Sequence, residues 1–157
     1  MASKPLFDIT GIDLDKVLFD RTMIRECNLQ RGHMEHLDAI VWADPENSRI
    51  IGYKDVRTDE FWVDGHIPGR PLLPGVLMIE AAAQLAAFYT RKYVGWKGFI
   101  GFAGVEECRF RQQVPPGVRL YLIGQILWHR HHRMACRVHG LIAGNLVFET
   151  TIIGMEM

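Results

Sequence analysis

His66 and Glu80 are the residues whose types best suit proton transfer, and both lie in GHIPGRPLLPGVLMIEAAAQ, residues 65–84. A neutral imidazole is a base near neutral pH, and a carboxyl group removed from water has its pKa raised and keeps its proton. Glu80 is the one charged residue between Pro71 and Tyr89, and an ionised carboxylate is costly there unless it is paired or neutralised. A base and an acid of this kind suit an elimination: one takes a proton from carbon while the other protonates a departing hydroxyl. Gly75 opens the apolar segment, so its N–H, with a helix dipole behind it, can face a developing oxyanion. The bland alternatives are a structural loop histidine and a glutamate that faces solvent or a subunit boundary.

These groups need a stiff loop and a helix behind it. Pro68, Gly69, Pro71, Pro74 and Gly75 supply the first. From about 75 to 93 the chain has strong helix formers and no internal proline or glycine, which predicts a helix of roughly 28 Å, apolar on every side and therefore buried. A short amphipathic helix is expected within 12–28. Residues 34–43 and 49–56 flank Asp44-Pro45-Glu46-Asn47 and read as a hairpin. After the glycine-rich 95–104, β-like runs at about 105–114, 118–129, 134–143 and 146–155 are separated by Pro115-Pro116-Gly117, His129–Arg133 and Ala143-Gly144-Asn145. Short strands joined by tight turns predict an antiparallel sheet, and one buried helix with five or six strands makes an α+β layer in which the sheet wraps the helix.

The chain has 157 residues, 48% of them hydrophobic, and zero formal net charge. That suits one domain over 1–157 and gives no electrostatic case for nucleic acid or an anionic membrane. No membrane span is expected. The opening residues do not resemble a secretory signal, and Cys27, Cys108 and Cys136 are odd in number and scattered, so a cytoplasmic protein with reduced thiols is expected.

The 65–84 stretch resembles the GHFPGxPxxPGVxxxExxAQ signature of 3-hydroxyacyl-[acyl-carrier-protein] dehydratases of the FabZ type, with Ile67 for the usual phenylalanine. A second block, Phe102-Ala103-Gly104-Val105 through Arg109-Phe110-Arg111 to Pro116-Gly117, resembles the family's FAGI…ARFR…VPG segment. The resemblance runs from about residue 50 to the C-terminus and implies the hotdog fold, with 1–30 a variable N-terminal segment. It also implies that His66 takes the α-proton of a 3-hydroxyacyl thioester and Glu80 protonates the β-hydroxyl, giving a trans-2-enoyl thioester and water. Gly75 N–H would polarise the thioester carbonyl and Gln84 would orient Glu80. The partner implied is an acyl carrier protein bearing a phosphopantetheine-linked chain, with Phe102 and Gly104 in the substrate-binding block and no metal or redox cofactor. In the family each site joins the histidine of one subunit to the glutamate of another, in homodimers that can assemble into hexamers. The related FabA branch carries aspartate at the position of Glu80, so isomerase activity is not expected.

The chain departs from the family at Gln30-Arg31-Gly32-His33-Met34, at Ile100-Gly101 and at Val118. These departures bear on acyl-chain length and substrate shape rather than on the chemistry, and they admit a specialised paralogue serving another pathway as an alternative. Arg109 and Arg111, two apart on an expected strand, share a face that is either solvated or meets the carrier's acidic surface and phosphate; Arg70 is a similar candidate. The arginines among His129–Arg133 would repel a cation, which favours a solvated hairpin tip, with a carrier-protein contact as the second reading, over a metal site. Competing readings are a hotdog thioesterase, a CoA hydratase, and a catalytically silent acyl-binding subunit.

Overall fold

The computed structural model describes residues 4–157. Its strands are β1 (Ala39–Asp44), β2 (Arg49–Asp55), β3 (Ile100–Phe110), β4 (Arg119–Arg130), β5 (Arg133–Ile142) and β6 (Asn145–Glu156). They form one antiparallel sheet in the order β1-β2-β4-β5-β6-β3, wrapped around helix α2 (Gly75–Tyr89), which is the hotdog arrangement. Alternate strand residues build the core. Ile50 of β2, Leu120, Leu122 and Ile126 of β4, Cys136 and Val138 of β5, and Phe148 and Ile152 of β6 join Ala81, Leu85 and Phe88 of α2 in one buried cluster. Gly124 lets helix and sheet approach closely, because a Cβ there would lie 3.0 Å from the Leu85 side chain. Phe7, Val41, Ile51, Tyr53 and Ile123 form a second cluster, on which Leu6, Ile9, Ile12 and Leu14 pack.

The turns behave as their residues dictate. Asp44 caps the Pro45–Asn47 turn by accepting the Asn47 N–H. His131 and His132 both take positive φ, 48° and 61°, as a two-residue type I′ hairpin requires, so His129–Arg133 is a hairpin tip. His132 Nδ1 lies 3.0 Å from Glu156.

Two elements differ from expectation, and the central helix keeps its expected extent with a change of winding in its last turn. The helix within 12–28 shrinks to the four residues of α1 (Arg21–Ile24), because Ile12 and Leu14 pack on the sheet and Phe19 bridges to Ile40 of β1. Strand β3 begins at Ile100, inside the glycine-rich stretch, and stops at Phe110; its pairing with β6 overrides the weak strand propensity of Gly101 and Gly104. Helix α2 ends at Tyr89 and widens into a π turn over Thr90–Val94, with the Gly95 N–H on the Thr90 carbonyl. Among the described residues no helix is long and apolar enough to cross a membrane.

Candidate active site

The loop ahead of α2 clasps His66 by its backbone and its ring. Its N–H donates to the Trp62 carbonyl at 2.8 Å, and its carbonyl accepts the Leu72 N–H at 2.8 Å. Ring Nδ1 lies 2.8 Å from the Leu72 carbonyl oxygen. A carbonyl only accepts, so Nδ1 carries a proton, and the neutral form of the ring has its lone pair on Nε2. The His66–Ile67 peptide bond is cis. His66 is exposed, and so is every residue from Asp64 to Arg70.

Glu80 lies within α2, half-buried rather than sealed in the core. Gln84, one turn on and 2% exposed, donates from Nε2 to Glu80 Oε1 at 2.9 Å and to the Met34 carbonyl at 2.6 Å. Its Oε1 accepts the N–H groups of His36 at 2.9 Å and Leu37 at 3.2 Å. Gln84 is thereby fixed with its amide N–H toward Glu80, and Oε2 of the carboxyl has no hydrogen bond among the described residues. No hydrogen bond joins His66 to Glu80 among the described residues.

Gly75 is the first residue of α2, and its N-cap, Pro74, makes no side-chain cap. A Cβ on Gly75 would sit 2.8 Å from the Phe110 ring, so this helix start is packed beneath the end of β3. Beyond Glu80, the positions 84, 87 and 91 follow on one helix face. Ala87 and Arg91 there line a small cavity of about 30 Å3 with Cys27, Asn28 and Gln30. A far larger cavity, about 820 Å3, is lined by Phe7, Ile9, Ile123, His139 and Leu141 and includes neither His66 nor Glu80. Volume alone is a poor guide to the chemistry here.

The other expected residues are dispersed. Arg70 donates to Gln113 at 2.6 Å. Arg109 and Arg111 share a face: Arg109 stands opposite Glu149 in register, the Arg111 N–H continues the pairing onto the Val147 carbonyl, and the bulge of β3 between Glu106 and Arg109 lies before them. Arg111 pairs with Glu149 at 3.0 Å, and Arg137 binds the same carboxylate at 2.9 Å. Burial alone would raise the Glu149 carboxyl, but the two arginines outweigh it and hold it below the usual range. Arg109 is exposed and faces Glu149 in register. Phe102 is 48% exposed and Gly104 half-buried, both on the edge strand.

Three buried polar residues went unread in the sequence. Lys54 and Glu60 form an ion pair at 2.6 Å with side chains 1% and 5% exposed. His36 is 1% exposed, with neither ring nitrogen hydrogen-bonded among the described residues. The alternation of Ile50, Gly52 and Lys54 along β2 was the available signal, since it turns the lysine inward.

Burial, with Lys54 nearby, pushes the His36 imidazole down to about 4 from 6.5. Above the ordinary value both folded and unfolded chains carry a neutral ring. Below it the unfolded chain takes up a proton that the folded chain refuses, so stability is lost as pH falls from 6.5 toward 4. His36→Leu keeps the backbone N–H that Gln84 needs and removes the titration. Its melting temperature is expected to fall less than wild type between about pH 7 and about pH 4.5. Equal losses in both proteins would refute a buried neutral ring.

A family model described as a FabA-like domain matches residues 29–153. The curated 3-hydroxyacyl-[acyl-carrier-protein] dehydratase FabZ of Listeria monocytogenes serotype 4b is 37% identical over 109 residues, 69% of this chain and 76% of that protein. FabZ of Desulfotalea psychrophila is 34% identical over 120 residues, 74% and 79% of the two chains. Among solved structures, the dehydratase heterocomplex ApeI:P from Xenorhabdus doucetiae superposes with a TM-score of 0.71 at 12% identity, covering 85% of this chain and 90% of that one. A sigma28-regulated virulence protein from Campylobacter jejuni superposes at 0.64 with 16% identity, covering 87% and 88%. At such identities the superpositions speak to the fold.

Proposed function

The chain belongs to the FabA-like family, and from that premise we infer that it is a 3-hydroxyacyl-[acyl-carrier-protein] dehydratase of fatty-acid biosynthesis, forming the trans-2-enoyl thioester and water. One observation supports the site assignment most strongly. Each proton-transfer group is gripped through one atom while the other is left free: His66 through Nδ1, Glu80 through Oε1.

On this reading His66 Nε2 takes the α-proton of the substrate. Charge moves onto the thioester oxygen, where the Gly75 N–H at the start of α2 donates to it. Glu80, protonated on Oε2, gives its proton to the β-hydroxyl; the C–O bond breaks, the double bond forms and water leaves. The acyl chain would then run along the α2 strip toward Ala87 and Arg91.

The proposal includes a homodimer whose two sites each take His66 from one subunit and Glu80 from the other. Edge strand β3 presents Phe102, Val105 and Phe110, with Val76 and Ile67 nearby in sequence to the site residues, at 39–71% exposure. An unpaired edge bearing apolar side chains invites a partner. Exposed Arg109 and the loop residue Arg70 are the proposed contacts for the carrier's acidic surface and phosphate, while Arg111 is committed to Glu149. The proposed compartment is the cytoplasm, in keeping with the free thiols of Cys27, Cys108 and Cys136.

The test is to incubate the protein with 3-hydroxyacyl carriers of several chain lengths and follow loss of water by mass spectrometry, with His66→Ala and Glu80→Gln beside it. Loss of water by wild type alone is expected. Equal behaviour of all three proteins would sink the assignment.

A further inference from the structure

Resting on the reading of His66 as the base, we propose that the buried Lys54–Glu60 ion pair is a positioning device for that histidine. Lys54 sits in β2 opposite Leu120 of β4, fully buried within the sheet. Its Nζ meets Glu60 Oε1 at 2.6 Å, and Glu60 Oε2 accepts the Arg57 N–H at 2.8 Å. The Glu60 carbonyl accepts the Val63 N–H at 3.1 Å, and the Trp62 carbonyl then accepts the N–H groups of Gly65 and His66. A continuous line of bonds thus runs from a rigid strand through Glu60 and one turn to the base.

Few of the loop's own side chains anchor it in the core. From Phe61 to Arg70 only Trp62 is buried. Stability is a weak reason for the ion pair, because well-packed apolar residues of similar volume often serve a fold as well as a buried pair or better. What the pair adds is direction. Charge-assisted bonds to both carboxylate oxygens fix the plane of Glu60, and with it the heading of the chain that leaves it. Burial alone would raise the Glu60 carboxyl, but the Lys54 and Arg57 bonds outweigh it and keep it ionised and engaged. The same pocket adjoins the support of the acid, since the His36 N–H is held by Gln84, the residue that grips Glu80.

The decisive variant is Lys54→Met/Glu60→Gln, which removes both charges together, conserves volume and leaves an acceptor for the Arg57 N–H. In the full-length protein its melting temperature is expected to stay near wild type. Its kcat on a 3-hydroxyacyl carrier is expected to fall about 10–100-fold with KM within about threefold, the mark of a misplaced catalytic group. Nitrogen NMR of the His66 ring should change from a single Nδ1–H tautomer to a mixture. Glu60→Asp alone, which keeps both charges and both acceptor oxygens but withdraws the carboxylate by one methylene, should lose about 3–10-fold in kcat and covers the case in which the double variant does not fold. If folded variants keep wild-type kcat and the single tautomer while His66→Ala is inactive, the pair is structural and the proposal is wrong. If His66→Ala retains wild-type turnover, the assignment of the base fails first and takes the proposal with it.

Discussion

His66→Ala is expected to lower kcat for dehydration about 10^3-fold, within the 10^2–10^4 that a positioned general base contributes. The ring is solvent-exposed and its one hydrogen bond is to the Leu72 carbonyl, which water can satisfy after truncation. Melting temperature should therefore barely move, separating loss of chemistry from loss of fold. Glu80→Gln is expected to cost a comparable factor for a different reason. The new amide can still accept the Gln84 N–H through its oxygen, so the helix face is preserved, yet it has no acidic proton to give the leaving hydroxyl. For both variants the measurement is kcat and KM on a carrier-bound substrate beside a thermal melt. A fall in activity that tracks a fall in melting temperature would assign these residues to the scaffold instead.

Mixing the two inactive proteins is expected to restore about a quarter of wild-type activity per chain, because random re-pairing of a two-fold dimer makes half the dimers mixed. In each mixed dimer one site receives an intact His66 and an intact Glu80, while the other receives both substitutions. The experiment unfolds an equimolar mixture, refolds it and compares its rate with each variant refolded alone. Recovery from near zero is a large signal, and it arises only if the two residues of a site come from different subunits. A mixture no more active than its components would place His66 and Glu80 of one chain in the same site.

Much of this arrangement was legible in the chain. Helix α2, the two hairpins at the C-terminal end and the hairpin around Asp44–Asn47 follow from apolar periodicity and turn residues, which act over a few neighbours. The stiff loop with His66 and the lone charge at Glu80 stood out for the same local reason. What could not be read was decided at long range. Phe19 leaves any local helix because it pairs with Ile40, and Gly101 joins a strand because Met155 lies across from it. Lys54 and Glu60 look like ordinary surface charges until β2 turns the lysine inward and the loop returns the glutamate to meet it. The half-exposure of Glu80 was likewise hidden, since composition shows an apolar helix but not which strip of it the sheet leaves uncovered.

The Leu72 carbonyl that fixes the His66 ring has a consequence for how the site can change by mutation. In many proton-transfer sites the imidazole is oriented by a carboxylate side chain, which one nucleotide change can erase or restore. Here the orienting group is a main-chain oxygen, and every amino acid at position 72 supplies one. No single substitution there deletes the acceptor. The tautomer is instead written into the path of the chain from His66 to Leu72, so within that stretch insertions and deletions reach it, while exchanges of residue act on it only from outside, through the bonds that set the heading of the loop.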